Sequence, residues 1–236
     1  MSKIWILLFL VASMLAGFFA WKNYASSKEN APFSKETIKN EIEKVSHSFT
    51  DSRDGKRYRT VTIGTQTWMA ENLNFDYGKH GTARCFCFND MESNCKKYGR
   101  LYNLAAVTDS AGFLFDGNIC PKGWHLPSER EWETLFSYVG KDGSGIKLKS
   151  KSGWMNSGNG TDEFDFTILP GGNRIDRKYD GEGGRSTFWM AVGEIKRSAF
   201  YGPDYRVVHV RSSADDIGIF TVRNNHGSYY IRCLKD

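Results

Sequence analysis

Ser128-Glu129-Arg130-Glu131 opens the clearest helical stretch of this 236-residue chain. The four residues read as a capping box: the Ser128 hydroxyl answers an orphan backbone N–H while Glu131 reaches back to the cap. Trp132, Leu135, Phe136 and Val139 then recur at helical spacing, and Gly140 is placed to end the helix. A stripe of that width has to be buried, and it is expected to lie on a sheet. The rest of the chain reads as short strands and turns. Tyr58, Thr60 and Thr62 alternate with Arg59, Val61 and Ile63 up to Gly64, and Gln66 to Ala70 continues extended, which predicts a hairpin after the Asp54-Gly55 turn. Residues 140–186 are rich in Gly, Ser, Asp and Asn around apolar islands at Phe164–Phe166 and Ile168-Leu169. Tyr205 to Val210, Ile219 to Val222 and Tyr229 to Arg232 read as closing strands, with Asn224 to Gly227 as a turn. With 24 glycines, 14% aromatics and 25% charged residues, this pattern predicts a loop-rich α+β fold of small antiparallel sheets and few helices. It excludes a disordered, collagen-like or multi-span membrane chain.

Residues 1–21 are of another kind. Ile4 to Trp21 is an apolar run broken only by Ser13 and Gly17 and flanked by Lys3 and Lys22. As a helix it would measure about 27 Å, close to the hydrocarbon thickness of a bilayer. Phe18-Phe19-Ala20 and Asn23-Tyr24-Ala25 are poor cleavage sites, so residues 4–21 are expected to contact the membrane as a signal anchor, with a cleaved signal peptide as the alternative. Residues 22–48 form a polar spacer in which Ile38, Ile42 and Val45 could stripe a short helix. The net charge of +5 is spread without any block of like charges, so no nucleic-acid partner is expected.

From residue 49 on, five segments stand out. Thr65-Gln66-Thr67-Trp68-Met69-Ala70-Glu71-Asn72-Leu73-Asn74 is followed by Tyr98-Gly99-Arg100-Leu101-Tyr102. Cys120-Pro121-Lys122-Gly123-Trp124-His125-Leu126-Pro127-Ser128, Leu169-Pro170-Gly171-Gly172 and the terminal Arg232-Cys233 complete the series. In this order they resemble the Fibrobacter succinogenes major paralogous domain family, over residues 49–236. The resemblance implies a fold similar to C-type lectins and formylglycine-generating enzymes, and it brings no assigned biochemical role. Where the family carries a Trp-Ser-Ser-Thr-Glu type segment, this chain has Trp189-Met190-Ala191-Val192-Gly193-Glu194.

The cysteines are Cys85, Cys87, Cys95, Cys120 and Cys233, an odd number that spacing alone cannot pair. The resemblance implies a Cys120–Cys233 bridge and a second between Cys87 and Cys95, with Cys85 left over. Bridged cysteines would suit an oxidising compartment beyond the membrane. The alternatives are a zinc site of His80, Cys85, Cys87 and Cys95, whose spacing imitates paired Cys-x2–4-Cys units poorly, and a redox-active thiol at Cys85. The copper-binding cysteine pair of formylglycine-generating enzymes has no counterpart, since no cysteine falls between Cys120 and Cys233.

Gly202-Pro203-Asp204 and Trp154-Met155-Asn156 are the nearest pieces to the lectin calcium motifs, and neither has the right residues. Asp162, Glu163 and Asp165 are the calcium candidates, because that ion takes six to eight hard oxygens, against the plainer reading of a solvated turn. Gly140 to Lys147 fails as a phosphate loop, lacking Lys-Ser/Thr after Gly145, and neither a Gly-x-Ser-x-Gly elbow nor a His-Glu-x-x-His zinc motif occurs. His125 reads as a hydrogen-bonded structural residue. Trp68, Trp124 and Trp132 read as core. Trp154, Asn156, Trp189, Tyr201, Tyr205, Asn224 and Asn225 are the ligand-contact candidates, although burial is the plainer reading of each aromatic. The chain is therefore expected to be an extracytoplasmic binding or surface-display module of the bacterial envelope. It would contact a polysaccharide or protein through loops 140–205 and the 224–228 turn, without catalysis and without a cofactor beyond the calcium candidates. An enzyme acting on polysaccharide through a carboxylate pair, and a purely structural envelope protein, are the competing expectations.

Overall fold

Two sheets share the last strand segment of the chain. In the computed structural model, residues 47–236 are described except 77, 79–80, 109–118, 192–196, 199–201, 204 and 223–225. The apolar run and most of the spacer therefore lie outside the described residues, as do His80, Tyr201, Asn224 and Asn225. Among the described residues, no helix is long and apolar enough to cross a membrane.

The smaller sheet has five strands: β1 (Ser48–Thr50), β2 (Arg57–Ile63), β3 (Gln66–Met69), β15 (Leu234–Lys235) and β6 (Trp124–His125), in that order. The expected β2–β3 hairpin pairs Ile63 with Gln66 across Gly64, whose φ of 62° is one that glycine adopts without cost. The Asp54-Gly55 turn joins β1 to β2, with Gly55 N–H donating to the Asp51 carbonyl.

The larger sheet runs β13 (Gly218–Val222), β12 (Tyr205–Arg211), β9 (Arg185–Trp189), β7 (Gly171–Ile175), β14 (Gly227–Tyr229), β5 (Leu101–Asn103), β4 (Cys85–Phe86), and β8 (Lys178–Glu182) also pairs with β7. Its pairings are antiparallel except β7 with β9. A separate two-stranded piece pairs β10 (Arg197–Ser198) with β11 (Gly202–Pro203). Among the described residues, four short α-helices, α1 (Glu92–Tyr98), α2 (Leu104–Thr108), α3 (Glu129–Val139) and α4 (Ser144–Leu148), accompany the sheets in a mixed α+β arrangement.

The expected closing strand Tyr229–Arg232 is only partly a ladder strand. β14 stops at Tyr229 because Tyr230 to Cys233 cross from one sheet to the other. Tyr230 N–H donates to the Thr187 carbonyl of the large sheet, while the carbonyls of Ile231 and Cys233 accept from Leu73 and Met69 beside the small one. Residues 230–233 are at most 1% exposed, so the crossing is the interior of the molecule.

α3 is capped as its sequence requires: Ser128 Oγ accepts from the Glu131 backbone, and Glu131 accepts from the Ser128 N–H at 2.8 Å. Trp132, Leu135, Phe136 and Val139 are all buried. Trp132 packs on Trp68 with centroids 4.7 Å apart and on Phe188 at 5.8 Å, so the helix bridges both sheets. Burying aromatics of this size is worth several kcal/mol each at about 25 cal/mol per Å².

Candidate functional site

Both bridges implied by the resemblance are present: Cys120–Cys233, with Cα atoms 6.0 Å apart, and Cys87–Cys95, at 4.8 Å. Cys85 is in neither, and its thiol donates to Asp76. Cys87, Glu92 and Cys95 are the one cluster of three metal-ligating residue types among the described residues. Its two sulfurs are bonded to each other, so neither is a thiolate for zinc, which weighs against the zinc alternative.

The calcium candidates do not converge. Asp162 spends its carboxylate inside its own loop, accepting from the Thr167 N–H and hydroxyl, both at 2.7 Å. Glu163 and Asp165 point to solvent. The described aromatic ligand candidates take the plainer reading, burial. Trp154 is 5% exposed and Trp189 fully buried. The Trp154 indole donates to Ser150 and to the Ile168 carbonyl, and that of Trp189 to the Tyr102 carbonyl at 2.7 Å. Tyr205 is buried in β12, and only Asn156 is exposed among the described candidates. Rings whose polar atoms are answered inside are core pieces, not contact surfaces.

His125 is a structural residue. Nδ1 lies 2.6 Å from Asp236 and Nε2 3.0 Å from Glu131, which ties the chain end to the helix cap. Burial alone would lower its pKa, but hydrogen bonds to Asp236 and Glu131 outweigh it and raise the imidazole above its usual value. His209, by contrast, is pushed down to about 4, by burial and then by Arg211 and Arg185.

The site that does open to solvent lies where the 174–177 and 226–228 segments meet. Arg174 of β7, Ser228 of β14 and Asn103 of β5 are direct cross-strand neighbours, so their side chains share one face. Phe86 of β4, paired with Leu101 two residues from Asn103, lies on the same face, and the resulting cleft has a volume of about 340 Å³, rimmed by Asp176, Arg177 and His226. The Arg174 guanidinium lies 3.9 Å from the Phe86 ring centre and 5.5 Å from that of Tyr179, and Arg174 Nε has no hydrogen-bond partner. Stacking on Phe86 fixes the orientation of the guanidinium, Tyr179 takes a side-chain hydrogen bond from it, and its Nε is turned inward. Asn103 is fully engaged in holding the strand ends, accepting from Arg84 and Ala106 and donating to the Thr82 carbonyl.

The rim is made by a two-residue turn. Ile175 pairs with Lys178, and the intervening Asp176 and Arg177 have φ of 48° and 65°. This is the twist a tight hairpin wants, supplied without the usual Asn-Gly. Placing two L side chains in the left-handed region costs on the order of 1 kcal/mol each. His226 Nδ1 on Asp176 at 2.9 Å, with the Asp176 N–H donating to the His226 carbonyl, holds the turn against the end of β14. His226 and Ser228 belong to the 224–228 turn region named from sequence; Phe86, Asn103 and Arg174 were not singled out there. No motif marks them, because they meet only through strand register.

No curated protein matches this chain, and neither does any solved structure. The family model for the Fibrobacter succinogenes major domain matches residues 61–235, spanning all five segments singled out from sequence and both disulfides; the chain belongs to that family.

Proposed function

We propose that this chain is a membrane-tethered, extracytoplasmic binding module of the bacterial envelope, non-catalytic, taking an acidic polysaccharide on the exposed face of its larger sheet. The observation that carries this reading is the cleft of Phe86, Asn103, Arg174 and Ser228, rimmed by Asp176, Arg177 and His226, with the Arg174 guanidinium stacked on an aromatic ring. A guanidinium answers a carboxylate with directed, charge-assisted hydrogen bonds, and the Asp176, Arg177 and His226 side chains of the rim offer polar partners to sugar hydroxyls. Asp176 beside Arg177 keeps the rim of mixed charge, which favours a sugar carrying one carboxylate over a dense polyanion.

Two features support the address. The apolar run 4–21 is long enough to anchor the chain, or to export it if it is cleaved, and two disulfides persist best outside a reducing cytosol. The finer fold reading, a C-type-lectin-like and formylglycine-enzyme-like core, is supported by small antiparallel sheets with long loops and by the terminal strand bridged to the entrance of the main helix.

The test is equilibrium binding of the full-length chain to polygalacturonate and to neutral dextran. We expect binding to polygalacturonate alone, weakened about ten-fold or more by Arg174→Ala and by Arg174→Lys, since lysine keeps the charge and loses the fork. Equal binding of both polymers, or none, sinks the proposal.

A further inference from the structure

A second cleft, on the small-sheet side, has a different chemistry. It encloses about 220 Å³ between β2, the segment after β3, and α1. Six of its sixteen lining residues are cationic, Lys56, Arg57, Arg59, Lys96, Lys97 and Arg232, and Glu71 is the only acidic one. Four of the five segments noted in the sequence meet here: Ala70 to Asn74, Tyr98-Gly99, Leu169 and Arg232.

Arg232 is the floor. It is 1% exposed, and the acceptors around its guanidinium are all uncharged: the Asn72 amide oxygen at 2.6 and 2.9 Å, and the carbonyls of Met69, Phe166 and Thr167. Phe166 and Phe188 cover its faces. Burial lowers its pKa to about 9, which leaves it charged at neutral pH. Its direct partners are uncharged, and the carboxylates that act on it, Glu71 and Asp162, do so without an ion pair.

The rim repeats the sign. Lys96 and Lys97 are exposed on the last turn of α1, with Lys97 over the Tyr98 ring at 4.5 Å. Arg59 is offset by Glu71 and Lys56 by Asp54, while Arg57 donates to Ser48, an uncharged partner. The aromatic residues of the lining, Tyr58 and Tyr98, are themselves buried, so the cleft offers no ring for a base or sugar to stack on. A ligand here is recognised by charge and not by a planar face.

We propose that this cleft is a phosphate-binding site, taking a phosphate group carried on a lipid headgroup or a soluble phosphorylated sugar. Lysine ammonium groups act as point charges for a tetrahedral oxyanion, and arginine forks add directed donors. A bound anion adds negative charge to a lining of six cations and one carboxylate, so occupancy and stability rise together. This site is independent of the sheet-face cleft, and either can fail alone.

The test titrates the full-length chain with inorganic phosphate at low ionic strength, reading heat of binding and melting temperature. Saturable binding with a rise in melting temperature is expected. Lys96→Ala/Lys97→Ala weakens it about ten-fold or more, whereas Lys122→Ala/Lys141→Ala, which removes the same charge outside the lining, leaves it unchanged. Displacement of phosphate by phosphatidylglycerol vesicles but not by phosphatidylcholine vesicles assigns the group to a lipid; displacement by glucose 6-phosphate alone assigns it to a soluble sugar. No saturable binding, or equal weakening in both double variants, overturns the proposal.

Discussion

The two disulfides use the same bond at opposite scales. Cys120–Cys233 joins residues 113 apart and ties the inter-sheet crossing to the entrance of α3, whereas Cys87–Cys95 closes a separation of 8 and pins α1 beside the basic cleft. In the chain-entropy model the first removes about 5 kcal/mol of unfolded-state freedom and the second about 2.5 kcal/mol. The long bridge therefore holds the fold, while the short one mainly sets the local position of Lys96 and Lys97.

The largest effect that would test this contrast is loss of the long bridge. Cys120→Ala/Cys233→Ala should cost about 4–5 kcal/mol and lower the melting temperature by roughly 10–20 °C by calorimetry. Arg232→Met comes next, at about 3 kcal/mol, because it leaves the Asn72 amide oxygen and the carbonyls around it without a donor. Urea unfolding measures that loss; a neutral or stabilising result would show that the keystone can be replaced by apolar packing. Cys87→Ala/Cys95→Ala should cost about 2–3 kcal/mol while weakening phosphate binding. An equal stability loss for both bridges would remove the distinction between them.

Much of this framework was legible in the sequence. The capping box and stripe of α3 appear with their expected bounds because local hydrogen bonds and burial favour the same residues. The β2–β3 hairpin was legible for the same reason, with alternation and a glycine turn in agreement. The cleft residues were not. β7–β8 turns on Asp176-Arg177, which carries no Asn-Gly signal, so the hairpin was hidden in a stretch read as loop. Phe86, Asn103 and Arg174 are brought together only by pairing between strands far apart in sequence. Trp154 and Trp189 stand beside Gly-rich stretches that resemble surface loops, yet both are buried, because here the glycines let backbone approach backbone. A Cβ at Gly160 would meet the Ile146 and Lys149 carbonyl oxygens at 2.4 and 2.3 Å, which is why the segment packs inward.

Smaller effects refine the long-bridge end. Ser128→Ala should cost about 1 kcal/mol through the lost cap. His125 gives that end a pH dependence of known sign. Its pKa is raised in the folded state, so its contribution is fully present below the unfolded value of about 6.5 and is lost as pH rises through the folded one. With the ring one-third exposed, the effect is under about 1 kcal/mol. His125→Gln should flatten the change in melting temperature between pH about 6 and about 9, and an unchanged slope would assign it elsewhere.

The most direct test of the central claim is backbone amide chemical-shift mapping of the full-length chain with a trigalacturonate ligand. Shifts clustered on Phe86, Asn103, Arg174 and Ser228, with the Lys96-Lys97 segment unmoved, are the predicted result. Shifts confined to the Lys96-Lys97 cleft, or scattered over the surface, would contradict the assignment of the acidic-sugar site to the larger sheet.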